Sequence, residues 1–87
     1  MITQHELKER FDYHPEGYLI NRVSRGKAKA GTRAGDNWHG GRYRRTKVDG
    51  VLYYTHRLIY IWHHGTITHQ VDHIDNNRDN NTIDNLR

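Results

Sequence analysis

Apolar residues enter this chain in short, separated runs. At the N-terminus, Ile2-Thr3-Gln4-His5-Glu6-Leu7 carries the marks of a helix start. Thr3 can cap, Glu6 stands at the capping-box position, and Ile2 can staple onto Leu7. Leu7 and Phe11, four apart, share a face, which predicts a helix over 4–11. His14-Pro15-Glu16-Gly17 reads as a turn, and Tyr18 to Val23 as a strand with Tyr18, Ile20 and Arg22 on one face. Residues 24–41 are rich in glycine and charge and read as a loop. Two strand-like runs, 42–48 and 51–55, flank Asp49-Gly50, a strong hairpin signal because both turn residues must accept positive φ. His56 to His64 carries an apolar stripe of Leu58, Ile61 and Trp62, widened by Ile59. It predicts the main core helix, with Thr55 as cap and Gly65 as stop. These elements describe one α+β domain of short antiparallel strands and short helices. Residues 1–55 supply the first helix and the hairpin region, and 56–87 the core helix and the closing segment.

Composition narrows the picture. A chain of 87 residues with 33% hydrophobic and 28% charged positions has a thin core and no room for a second one. Without cysteine it has no disulfides and no thiolate metal site. No apolar run approaches the ~18 residues of a membrane helix. MITQHELKER lacks the apolar stretch of a signal peptide, so neither secretion nor membrane insertion is expected.

The formal charge of +4 is unevenly spread. From 22 to 47 stand Arg22, Arg25, Lys27, Lys29, Arg33, Arg42, Arg44, Arg45 and Lys47, against Asp36 alone, a balance of +8. Such a run is either a solvated basic loop or a surface for a polyanion. Trp38, Gly40, Gly41 and Tyr43 among the charges favour nucleic acid. Alternation puts Arg42 and Arg44 on one face of the hairpin and Arg45 and Lys47 on the other, which predicts a ribbon basic on both faces. Tyr43, Tyr53 and Tyr54 can equally serve to cover the small core.

The last 17 positions, from Val71 to Arg87, hold four Asp, five Asn and one His. So polar a segment is a loop, or a site held by side-chain hydrogen bonds and a cation. A calcium loop of the EF-hand type fails, because Asn80 stands where Gly is needed and Leu86 where Glu is needed. A zinc site from His63, His64, His69 and His73 finds no supporting spacing.

Asp72-His73-x-Asp75-x-Asn77-x-x-Asn80-Asn81-x-x-x-Asn85-Leu86-Arg87 resembles the central motif of the HNH endonucleases, most closely the phage-encoded and homing-type branch. Upstream, 7–13, 48–53 and His56-Arg57-Leu58-Ile59-Tyr60 are similar as well. The resemblance implies a ββα-metal site holding one divalent cation, Mg²⁺ or Mn²⁺, against a DNA phosphate. In it, His73 is the general base, which suits an imidazole whose ordinary pKa is near ~6.5. Asp72 is the metal ligand, and Asn85 bonds across the loop to fix the strand ends and orient His73. Asp75, Asn77, Asn80 and Asn81 shape the loop, and His56 packs structurally. Arg57 is carried as a DNA contact beside the basic run. The chain stops at Arg87, where the family continues into a helix with the last ligand. That implies a shortened copy, a missing C-terminal segment, or completion by a partner such as a second copy. Expected products are a 5′-phosphate and a 3′-hydroxyl on double-stranded DNA, in a bacterial cytoplasm if the gene is phage-encoded. The other readings are a catalytically incomplete DNA-binding module with the same fold, and an interaction fragment of a phage assembly.

Overall fold

A computed structural model describes residues 2–35 and 43–87. Arg42, Trp38, Gly40 and Gly41, singled out above, lie outside the described residues. The elements run α1 (Gln4–Arg10), β1 (Phe11–His14), β2 (Tyr18–Asn21), β3 (Arg45–Val48), β4 (Val51–Tyr54) and α2 (Thr55–His64), followed by a 3₁₀ turn at Ile83–Asn85. The class is α+β, with two separate antiparallel hairpins, β1–β2 and β3–β4.

The N-terminal signals work largely as read. The Thr3 hydroxyl accepts from the Glu6 N–H at 3.1 Å, and Ile2 and Leu7 are both buried. The helix stops one residue short of the predicted end. Phe11 takes extended backbone and opens β1, a strand that the 4-residue spacing of Leu7 and Phe11 disguised as helix. On β2 the buried residue is Leu19, not the face of Tyr18 and Ile20.

At the second hairpin, Asp49 and Gly50 adopt φ of 50° and 81°, as a two-residue turn with the right twist requires. The prediction of two basic faces fails here. Thr46 and Val48 point inward and are buried, leaving Arg45 and Lys47 on the outer face. Thr55 is the first residue of α2 rather than its cap. Its hydroxyl lies 2.7 Å from that of Thr46 in a buried pair, so it is spent on joining helix and hairpin.

Leu58, Ile59 and Ile61 line the inner face of α2 and meet Leu7, Phe11 and Leu19 in one core. Full burial of each such side chain contributes about 1.5–3 kcal/mol. Trp62 is only partly buried, and its indole N–H donates to the Phe11 carbonyl at 3.1 Å, tying α2 to the α1–β1 junction. Gly65 closes α2 at φ 91° as predicted, its N–H reaching the Ile61 carbonyl at 2.8 Å. Among the described residues no helix is long and apolar enough to cross a membrane.

Candidate active site

The polar segment is anchored at its ends by Val71 and Leu86, both buried in the core. Between them the chain folds back on itself. Asp72 and Arg87 exchange backbone hydrogen bonds at 2.9 and 3.1 Å, and the Ile74 N–H donates to the Asn85 carbonyl at 2.8 Å. The pairing is a single bridge, His73 opposite Leu86, rather than a regular ladder.

Asn and Asp side chains build the intervening turn. The Asp75 carboxylate accepts the Asn77 N–H at 2.8 Å, and the Asn77 side chain accepts the Asp79 N–H at 3.0 Å, two successive Asx turns. Asn76 sits at φ 61°, which asparagine tolerates. Asn85 is the hub. Its amide donates to Asp75 Oδ1 at 2.9 Å and to the Asn80 carbonyl at 2.8 Å, and its oxygen accepts the Asp75 N–H at 3.1 Å. Asn80, Asn77 and Asn85 all donate to the Asp75 carboxylate, and together they hold it below the usual carboxylate range. The loop is thus closed from within.

The first hairpin supports it from outside. The Tyr13 hydroxyl accepts the Ile83 N–H at 3.0 Å. Gly17, at φ 95°, lies so close that an added Cβ would meet the Thr82 nitrogen at 2.4 Å. Any side chain there would displace the turn that carries Asn81.

Asn81 holds the histidine. It is 1% exposed, and its Oδ1 lies 2.7 Å from Nε2 of His73, itself 7% exposed. An amide oxygen only accepts, so it takes the Nε2–H, and in the neutral form of the ring Nδ1 is the lone-pair nitrogen. The expectation that Asn85 orients His73 is corrected here. Asn85 spans the loop as expected, but the imidazole is gripped by Asn81. A run of adjacent asparagines gives no clue which of them faces inward.

Aromatic rings enclose the other side of the imidazole. Tyr43 stacks on His73 at 5.7 Å between centroids with 21° between planes, and His56 lies 4.8 Å away. His56 is buried. Burial pushes its pKa down to about 4, with His73 and Arg57 adding to the shift, so it stands neutral at pH 7. His73 opens onto a polar cleft of about 310 Å³ lined by Tyr43, Asp72, His73, Asn76, Arg78 and Arg87. Tyr43, Arg78 and Arg87 were not among the expected site residues. Tyr43 stood inside the basic run, and the two arginines inside an acidic segment.

The donor set of this cleft suits one kind of cation. Asp72 supplies a single hard carboxylate, and among the described residues no three of His, Cys, Asp and Glu converge. Mg²⁺ and Mn²⁺ fit that set, because Mg²⁺-type sites use one or two carboxylates and fill other positions with water and substrate phosphate. Zinc, which wants three or four nitrogen or sulfur ligands, does not. Of the histidines weighed for zinc, His63 packs edge-on to Tyr13, while His64 and His69 lie against Tyr60.

The basic residues divide. Arg22 pairs with Asp12 at 3.6 Å, Arg25 with Asp49 at 3.1 Å, and Arg44 with Asp79 at 3.1 Å. Arg44 therefore joins the second hairpin to the polar turn. Arg25, Lys27, Arg33 and Lys47 are brought to one groove of about 690 Å³ between the two hairpins. Arg33 also lies over the Tyr18 ring at 4.4 Å. Lys29 and Arg45 are exposed outside that groove, and Arg57 lies on the outer side of α2.

Residues 53–87 match a family model described as HNH endonuclease. No curated protein and no solved structure matches the chain.

Proposed function

We propose, from the match of residues 53–87 to a family model described as HNH endonuclease, that the chain hydrolyses phosphodiester bonds of double-stranded DNA with the help of Mg²⁺ or Mn²⁺. The supporting observation is that Asp72 and a buried His73, its Nε2 held by Asn81, line one open cleft. A free lone pair on a neutral imidazole is what a general base needs at neutral pH. Nδ1 of His73 takes the proton of the attacking water. Nε2–H stays on Asn81, which keeps the ring from turning and stabilises the imidazolium as it forms. Neutral His56 matters too: a cation 4.8 Å away would make that protonation harder. Asp72 would hold the divalent cation, which when bound stabilises charge on the phosphate and the leaving oxygen. Lys27, Arg33 and Lys47 would hold the backbone of the duplex in a sequence-independent way. The phage and homing-type branch remains the closest reading of the motif.

One observation favours a second reading. Among the described residues Asp72 is the one carboxylate lining the cleft, so a cation there would be lightly held, as in a DNA-binding module that keeps the fold without the turnover. Supercoiled plasmid incubated with Mn²⁺ separates the two. The nuclease reading expects nicking by the parent chain, blocked by EDTA and lost in Asp72→Ala, with DNA binding kept. Binding without nicking in both proteins would sink it in favour of the module.

A further inference from the structure

The cleft beside His73 is rimmed by two cations that neither the basic run nor the family motif assigns a role. We propose that Arg78 and Arg87 form a clamp on the non-bridging oxygens of the scissile phosphodiester, with Tyr43 as the shelf that sets Arg78 in place. The inference rests on the nuclease reading for its chemistry, but its geometry is independent of it.

Arg87 is fixed by register. Its N–H and carbonyl pair with Asp72 at 3.1 and 2.9 Å, so Arg87 lies directly across the ribbon from the proposed metal ligand. Directly opposite residues of an antiparallel pair carry their side chains on one face, with Cβ atoms about 4.5–5.5 Å apart. Both side chains line the same cleft. Arg78 is fixed by stacking. Its guanidinium lies over the Tyr43 ring at 4.8 Å, and Tyr43 in turn stacks on His73. Guanidinium and imidazole therefore both lie against the Tyr43 ring at the wall of the cleft. The backbone of this part of the turn is set by the Asx bonds of Asp75 and Asn77. A phosphodiester entering the cleft would meet Asp72 and His73 in a wall that also holds both arginines. Planar, forked donors suit tetrahedral phosphate oxygens better than ammonium groups do. Negative charge building on the non-bridging oxygens of the pentavalent transition state would draw more from such donors than the ground state does.

Two readouts test the clamp. In the first, thymidylyl-thymidine is titrated into ¹⁵N-labelled chain and the arginine Nε–Hε resonances are followed. The Arg78 and Arg87 signals should move together. If either stays in place at saturation, or nothing shifts, the clamp is wrong. In the second, plasmid nicking is measured for Arg78→Ala, Arg87→Ala and Arg78→Lys. Each alanine should lower kcat about 10²-fold with KM changed less than about threefold. Arg78→Lys should recover less than a tenth of the loss, because an ammonium does not hold the planar stack on Tyr43. Full rates in the alanine variants overturn the proposal. A parent chain that never nicks, yet shows both resonances shifting with the dinucleotide, leaves the clamp standing and removes the nuclease reading instead.

Discussion

Around Leu58, order comes from apolar area; around Asn85, it comes from hydrogen bonds between short polar side chains and backbone. Leu58 touches nothing it could lose by a small shift, since dispersion and the hydrophobic effect are non-directional. Asn85 makes three bonds of 2.8–3.1 Å, each of which fails with a modest rotation. The two designs serve different ends. An apolar core tolerates repacking and holds elements roughly in place. A network of Asp and Asn fixes an irregular turn to within a fraction of an ångström, which a base and a metal ligand require. Its stability also hangs on a few groups, so damage there stays local but reaches the site at once.

The contrast is testable at its two centres. Leu58→Ala should cost about 2–5 kcal/mol and lower the denaturation midpoint of the whole domain. Asn85→Ala should cost about 1–3 kcal/mol, because it strands the Asn80 carbonyl and loosens Asp75. Hydrogen exchange would place that damage in 72–87, with the α2 amides still protected. Equal loss of protection in α2 would mean the turn and the core unfold as one unit.

Acid should probe both regions in separate windows. The folded-state pKa of His56 is depressed from 6.5 to about 4, so the unfolded chain binds the extra proton first. Its contribution is complete above pH 6.5 and is lost as pH falls from there toward 4. The loss is on the order of 2 kcal/mol after allowing for solvent screening. Asp75 is also depressed, so its share persists above the ordinary carboxylate range and goes only at lower pH. In His56→Gln the slope between pH 4 and 6.5 should vanish while the more acidic one stays. Denaturant midpoints measured at several pH values would show it. An unchanged slope would place the titrating group elsewhere.

The smallest effect belongs to the groove. Lys47→Ala should weaken binding to any duplex by about two- to fivefold and reduce the salt slope by about 1, as for one phosphate contact. Arg44→Ala should act differently, through the loss of its tie to Asp79, by loosening the polar turn. Fluorescence anisotropy at several salt concentrations distinguishes the two.

The core was legible because its signals are local and periodic. Thr3, Asp49-Gly50 and Gly65 each announce a backbone geometry that only a few residue types adopt, and each behaves as read, whereas Glu6 bonds the Thr3 hydroxyl and not its N–H. Where reading failed, a long-range partner had decided. Phe11 left its helix to pair with Asn21, and Thr55 gave up a cap for the Thr46 hydroxyl. Of the residues that line the cleft, Asp72 and His73 were expected, while Tyr43, Arg78 and Arg87 were not, and the arrangement was not legible. His73 and Asp72 stood out only through the resemblance of their motif to the HNH endonucleases. That Asn81 rather than Asn85 grips the imidazole depends on which of two neighbouring asparagines turns inward, and on the close approach of Gly17 to Thr82. Likewise the charge run did not reveal that Asp12, Asp49 and Asp79 would take up Arg22, Arg25 and Arg44.

Chemical rescue tests the role of the imidazole most directly. His73→Gly, assayed on supercoiled plasmid with Mn²⁺, should lose about 10²–10⁴-fold in nicking rate. Added free imidazole should restore part of it, with a pH dependence that follows the neutral form of the added base. Nicking at the parental rate without imidazole, or a variant that binds DNA but never responds to it, would contradict the account.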